Sequence, residues 1–444
     1  MITDISLKQI NKLAIPALIV GVAEPILSLT DAAIVGNIPI NATESLAAVG
    51  IVSTFLSMLI WVLGQTRSAI SSIMSQYLGA NKLHEVKNLP AQAIAMVTVL
   101  SLLIIAFTYP FSQQLFELYN AKGLVLEYSV TYYNIRVFGF PFTLFTIAVF
   151  GTFRGLQNTF HPMIIAIIGT VVNIVFDVVL VYGIDGFMAP MYIEGAAYAS
   201  VLAQISMALL SAYYLLKRTD IPLRVRLPLN KEINNFLIMI LNLFVRTLAL
   251  NVTLYFAARF ATGYGAAYIA AYTIAINLWF FGAFFIDGYS SAGNILSGKL
   301  YGAKYYKTLV GLSNTLIKYG VTIGACLALV GGLLYEPLGA LFTKEQAVLD
   351  AFYDVFWIVL VMQPLCALAF IFDGVFKGLG YMKILRNLLL VATFLVFIPV
   401  LFILDYFDYK LHAIFIALTF WMFTRGVPLI VIFRKKFIPL VQNM

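Results

Sequence analysis

Gly151-Thr152-Phe153-Arg154-Gly155-Leu156 returns later in the same chain as Gly374-Val375-Phe376-Lys377-Gly378-Leu379, with glycines, aromatic, base and leucine in register. At the same offset Ala47-Ala48 returns as Ala270-Ala271, Gly79-Ala80 as Gly302-Ala303, and Pro141 as Pro364. An apolar composition repeats Leu and Val by chance, but not a matched set of Gly, Pro and base across four segments. The shared offset therefore reads as an internal duplication, a fold assembled from two related halves.

The medium in which those halves fold is set by composition. Of 444 residues, 62% are hydrophobic and 11% charged, with mean hydropathy +0.94. A soluble domain carries about a quarter of its residues as charges. Cutting the chain at Gly, Pro and charge clusters leaves twelve apolar stretches, each near the roughly 20 residues a membrane-crossing helix needs. The short alternating segments of a membrane β-barrel are absent. The spacing thus predicts an all-α integral membrane protein of twelve transmembrane helices, as two parallel six-helix lobes around a central cleft. Residues 1–216 form the first lobe, 217–232 a basic linker with Pro222 and Pro228, and 233–444 the second lobe. The first stretch, with Glu24 and Asp31 inside it, is too long for a cleaved signal and reads as a retained helix.

The net charge of +8 is a topology signal and not a nucleic-acid surface. Basic residues cluster at 8–12, 82–87, 217–231, 299–307, 377–386 and 434–436, all in one set of alternate loops. The other set holds only Lys122, Lys344 and Lys410. This bias places both termini in the cytoplasm. Cys326 and Cys366 both lie in apolar stretches, too few for a disulfide framework and without metal-binding company. No phosphate-binding G-x-x-x-x-G-K-[ST] loop, HExxH or GxSxG arrangement, or TVGYG filter occurs, and His84, His161 and His412 are scattered. ATP-driven, hydrolytic and potassium-channel chemistry are excluded, and no cofactor is expected. Nothing in the chain calls for a second copy, so a monomer is expected.

An ionisable side chain at membrane depth costs at least ~2.5–3.5 kcal/mol, so each one needs a reason. In the first helix Glu24 and Asp31 lie two turns apart on one face, and Pro16 and Pro25 predispose that helix to bend. In the fifth, Asn173 and Asp177 are four residues apart and share a face. In the fourth, Glu127 is followed by Tyr132 and Arg136, again with Tyr132 and Arg136 on one face. The acids do not repeat: Asp31 falls on Leu254, Asp177 on Val400, and Asp373 on Phe150. A duplicated scaffold with unduplicated acids suits one specialised ion site. A buried carboxylate cluster can take up and release a proton during a cycle, because low dielectric and a second nearby acid both favour the neutral form. The alternative is a static ion pair, with Arg136 or Arg67 neutralising an acid. In the second half Arg246, Asp287, Asp354, Asp373 and Arg425 are the polar candidates, and pairing of Asp287 or Asp373 with Arg246 or Lys377 is the simplest reading. The many Phe and Tyr residues suit lipid contact and interfacial belts, or a cavity for flat cations.

The stretch Glu24-Pro25-Ile26-Leu27-Ser28-Leu29-Thr30-Asp31-Ala32-Ala33-Ile34-Val35-Gly36 resembles the first helix of the multidrug and toxic compound extrusion (MATE) family. Asn173 with Asp177 is similar to that family's N-x-x-x-D. Arg246-Thr247, Asp287-Gly288 and Asp373-Gly374-Val375-Phe376-Lys377-Gly378 resemble its DNA-damage-inducible protein F (DinF) branch. The resemblance covers essentially the whole chain. It implies an antiporter in the plasma (bacterial inner) membrane that exports small organic, drug-like compounds, including cationic and aromatic ones, in exchange for H⁺ or Na⁺. It carries the ion-coupling role onto Asp31, Asn173 and Asp177, with Tyr132, Ser200 and Pro16 beside them; these oxygens suit either a proton or Na⁺. Another branch of the family has an acid in the seventh helix, where this chain offers Arg246 instead, so the expectation tilts to the proton. A flippase for lipids or lipid-linked saccharides is the rival of the same architecture.

Overall fold

The computed structural model describes residues 5–184 and 186–442 and, for Glu24 and Ser28, the backbone alone. Among the described residues twelve helices are long and apolar enough to cross a membrane. They are α1 (Leu7–Val35), α2 (Ala42–Gly79), α3 (Leu83–Thr108), α4 (Gly123–Gly155), α5 (Phe160–Tyr182), α6 (Tyr192–Arg218), α7 (Ile233–Gly263), α8 (Ala266–Gly302), α9 (Tyr306–Leu333), α10 (Gln346–Gly378), α11 (Met382–Tyr406) and α12 (Leu411–Gln442). Without water in the hydrocarbon, backbone polar groups must bond within the segment, and the helix does that. Among the described residues no strand forms; one antiparallel bridge joins Ile184 and Met188.

Two compact units result. One comprises Ile19–Met74 and Lys82–Leu237; the other comprises Ile238–Met444 with Met1–Leu18 and Ser75–Asn81. The helix α1 continues through both prolines, each of which removes one helical hydrogen bond. Pro25 lies in the first unit's part of α1 and Pro16 in the second's.

The duplication read from the sequence is present in the packing. A Cβ on Gly151 would stand 2.7 Å from the Arg67 carbonyl, and one on Gly155 2.4 Å from the Met74 Cβ, so α4 can seat on α2 only with glycine there. At the same offset Gly374 meets the Ser290 carbonyl at 2.1 Å and Gly378 the Asn294 carbonyl at 2.2 Å, seating α10 on α8. The ends of α4 and α10 also match. Gln157 and Gly380 take the left-handed conformation, at φ 63° and 79°. The following amides of Asn158 and Tyr381 then donate back to the Phe153 and Phe376 carbonyls, at 2.9 and 3.0 Å. This closure satisfies carbonyls a helix end leaves open.

One deviation has a chemical cause. Pro399 has no N–H to donate, and the preceding seven residues of α11, Val391–Phe397, widen into a π-helix. Thr393, inside it, accepts the Trp421 Nε1 hydrogen at 3.1 Å and bonds Thr253 at 2.9 Å, in a core that includes Trp279, Phe352 and Phe415.

The segment between α6 and α7 is fastened to α3. The buried Gln92 donates to the Arg226 carbonyl at 2.7 Å and accepts the Asn230 amide at 2.7 Å. Asn230 Nδ2 also reaches the Glu85 carbonyl at 2.8 Å. Gln92→Leu leaves those backbone groups without a partner and is expected to destabilise the protein by about 1–3 kcal/mol, read as a lowered Tm of the purified transporter. An unchanged Tm would mean the linker is held elsewhere.

Candidate functional site

In the first unit three helices bring their polar side chains to one point. Asp31 comes from the C-terminal turns of α1, Asn173 and Asp177 from one face of α5, and Ser200 from α6. Tight seating of α6 on α5 is what makes this possible: a Cβ on Gly195 would lie 2.6 Å from the Leu180 carbonyl. Asn173 Nδ2 donates to Asp177 Oδ2 at 2.5 Å and to Asp31 Oδ1 at 3.3 Å. Ser200 Oγ donates to the other Asp31 oxygen at 3.3 Å. A single amide therefore bridges two carboxylates. All four side chains are buried, Asp177 completely and Asp31 to 6% exposure.

Among the buried oxygens without a hydrogen-bond partner are Asp177 Oδ1 and Tyr132 Oη, the latter on α4 and fully buried. The structure thus brings Asp31, Asn173, Asp177 and Ser200 into one hydrogen-bonded group. Tyr132 is fully buried but bonds none of them. Pro25 is half-buried in the same unit, and Pro16, also half-buried, belongs to the other unit.

The static-pair alternative fails here. Among the described residues no base makes an ion pair with Asp31 or Asp177, and Arg136 and Arg67, both half-buried, pair with no acid. The Glu24 side chain lies outside the described residues.

The second unit resolves the other polar candidates differently from one another. Asp373, 7% exposed, accepts Arg246 Nη2 at 2.6 Å and Lys377 Nζ at 2.9 Å, so its pairing is as expected. Asp287 is a correction: it is exposed and makes no ion pair among the described residues, so solvent and not a buried base meets its charge. Asp354 is also not a buried acid. It lies exposed near the start of α10, 3.6 Å from His412. Arg425, given no role in the sequence, is 5% exposed with its guanidinium over Trp421 at 4.5 Å and Phe370 at 5.4 Å. Its signal was present: Trp421 and Arg425 stand four apart on α12, the spacing at which helical side chains meet.

Among the described residues no group of three His, Cys, Asp or Glu could hold a metal ion. What the first unit offers is a pair of buried acids joined by one amide, on helices set by glycine contacts. The fold and this site define a multi-pass membrane transporter and not an enzyme. The family model MatE matches residues 16–179 and 239–403, one match in each half, and the chain belongs to the MatE family. It is 25% identical to DNA damage-inducible protein F of Escherichia coli K12 over 435 residues, covering 96% of this chain and 92% of that protein. It is 21% identical to the multidrug export protein MepA of Staphylococcus aureus, covering 75% and 73%. A solved structure of MATE in the bent conformation superposes with TM-score 0.90 at 21% identity, covering 98% and 96%.

Proposed function

We propose that this transporter exports small organic compounds in exchange for protons, with Asp31 and Asp177 as the proton carriers. The observation that carries the reading is the amide of Asn173 shared between two buried carboxylates that form no salt bridge among the described residues. Two negative charges that close repel strongly in low dielectric, and a proton on one of the acids relieves the repulsion. With the pair singly protonated, Asn173 and Ser200 satisfy the remaining acceptor oxygens. Loss of the proton leaves two charges on facing helices, and their repulsion changes the relation of α1 to α5. The two prolines of α1 support this, since a helix short of two hydrogen bonds yields at low cost. Export of drug-like compounds is supported by the likeness to the multidrug export protein MepA, and energy from ATP by nothing in the chain.

The loop charges support cytoplasmic termini in a bacterial inner membrane, and a monomer suffices for the cycle. Reporters fused after Lys82 or within 217–232 are expected to read as cytoplasmic, and one near Lys344 as external; the reverse pattern would overturn the orientation.

A sodium reading rests on a specific observation as well. Asp177 Oδ1 and Tyr132 Oη are unpartnered oxygens, and a hard cation requires several oxygens. Against it, Asn173 turns its nitrogen to both acids, where a cation would need its oxygen. Purified protein in weakly buffered solution separates the two. On the proton reading, an exported compound added to wild type releases protons to a pH indicator, and Asp31→Asn releases none. Release triggered by Na⁺ alone would transfer the site to sodium.

A further inference from the structure

In the first unit, the segment after α6 holds a short apolar stretch out in the open. From Ile221 to Asn230 it forms no helix, and apolar residues alternate with bases: Leu223, Arg224, Val225, Arg226, Leu227, then Pro228 and Leu229. Val225 is 46% exposed, Leu227 81% and Leu229 55%. Arg224 and Arg226 are exposed between them and make no ion pair among the described residues. The stretch is not loose. Gln92 Nε2 donates to the Arg226 carbonyl at 2.7 Å and to the Pro228 carbonyl at 3.3 Å, and Gln92 Oε1 accepts the Asn230 amide. With the backbone tied at 226, 228 and 230, Leu227 and Leu229 are kept from folding inward. Neighbouring apolar side chains held open and rimmed by charge mark a contact surface for a protein or a membrane.

We propose that residues 223–229 are an interfacial anchor: Val225, Leu227 and Leu229 enter the cytoplasmic leaflet, and Arg224 and Arg226 bind the phosphates of anionic lipids. Depth favours lipid over a soluble partner. From Leu89 to Thr108 α3 runs 20 residues without a charge, the length of one hydrocarbon crossing. Gln92 lies in the first turn of that run, so the backbone it holds sits where the hydrocarbon begins. The end of α6 gives the same level. Tyr213, 52% exposed, takes a hydrogen bond from Lys217 Nζ at 2.7 Å, and Leu216 beside it is exposed. An exposed tyrosine under a lysine is the residue pair of a membrane–water boundary. A chain that alternates leucine and arginine at this level puts apolar groups into acyl chains and guanidinium forks on phosphates. The nearby acids Asp220, Glu85 and Glu232 flank the stretch and do not interrupt it. Naming the cytoplasmic leaflet rests on the orientation proposed above.

The test uses the full-length purified transporter in nanodiscs of equal parts phosphatidylcholine and phosphatidylglycerol. A Cys326→Ser background removes the exposed thiol and leaves the buried Cys366. A bimane fluorophore is attached through single substitutions along the segment and quenched by brominated acyl chains or by water-soluble acrylamide. Brominated lipid is expected to quench more than acrylamide at Val225→Cys, Leu227→Cys and Leu229→Cys, and less at Arg224→Cys and Arg226→Cys. With the bromine on one lipid at a time, phosphatidylglycerol should quench the Leu227→Cys label several-fold more than phosphatidylcholine, since each base at an anionic surface favours it about fivefold. Adding Arg224→Gln and Arg226→Gln should bring the two lipids to parity while the label stays in lipid. Acrylamide outdoing brominated lipid at Leu227→Cys would put the segment in water. Quenching by neither would mean that protein, such as a second copy, covers the patch. Equal quenching by the two lipids with both arginines present would remove anionic lipid as the partner. Each of these results would overturn the proposal. A nanodisc leaves both faces open, so no outcome depends on which side is cytoplasmic; the reporter fusions decide that separately.

Discussion

Asp31→Asn is expected to fold and enter the membrane at the wild-type level while export falls to the background of empty vesicles. The substitution keeps size and shape. Its oxygen still accepts from Ser200 or Asn173, so the cost in stability is about 0.5–1.5 kcal/mol, that of one altered hydrogen bond. What it removes is the second negative charge. With Asp31 neutral at every stage, Asp177 and Asn173 form a site whose charge no longer alternates between one and two, and the repulsion that works on α1 and α5 is gone. Asp177→Asn removes the other acid and should fail similarly. Ser200→Ala removes one hydrogen bond of 3.3 Å and should slow export only several-fold, about what a single lost bond of ~1 kcal/mol implies. Wild-type flux by well-expressed Asp31→Asn would remove Asp31 from the coupling machinery.

The largest stability effect is expected at Asp373. Its two oxygens hold Arg246 at 2.6 Å and Lys377 at 2.9 Å, with Arg425 alongside in the same cavity. Removing the one acid strands two buried cations, Arg246 and Arg425, and the half-buried Lys377, and breaking a buried pair in this way costs about 3–5 kcal/mol. Asp373→Asn should therefore unfold well below wild type when the purified protein is heated. Arg246→Met should cost clearly less, because Asp373 keeps Lys377 and a buried positive charge is lost. Equal losses for the two substitutions would mean that the cluster is under no such charge imbalance.

Much of this was legible before any coordinates. Twelve apolar stretches gave the helices because the bilayer enforces one length. The repeated Gly151 and Gly155, returning as Gly374 and Gly378, marked the duplication; that they seat α4 on α2 and α10 on α8 needed the structure, where close helix approach leaves no substitute for glycine. Asn173 and Asp177 share a face by simple periodicity. Their meeting with Asp31 needed the fold, or the resemblance that stood in for it. Three features were not legible for the same reason, that charge alone does not fix direction. Asp287 and Asp373 both precede a glycine late in a helix, yet one is exposed and the other holds two cations. Asp354 sits in an apolar stretch but on its exposed side. Arg136 shares a face with Tyr132 yet pairs with neither acid. The docking of the 217–232 segment through Gln92 was hidden as well, because a lone buried amide in an apolar helix carries no sign of its partner.

The central claim is that a proton gradient, acting through the acid pair, drives export. Its most direct measurement is flux in proteoliposomes holding purified transporter, with a fluorescent organic compound, an imposed pH gradient and no sodium on either side. Compound movement against its own gradient, stopped by a protonophore and absent in Asp31→Asn, is the result the account predicts. Movement that needs a sodium gradient and persists with the protonophore present would contradict it.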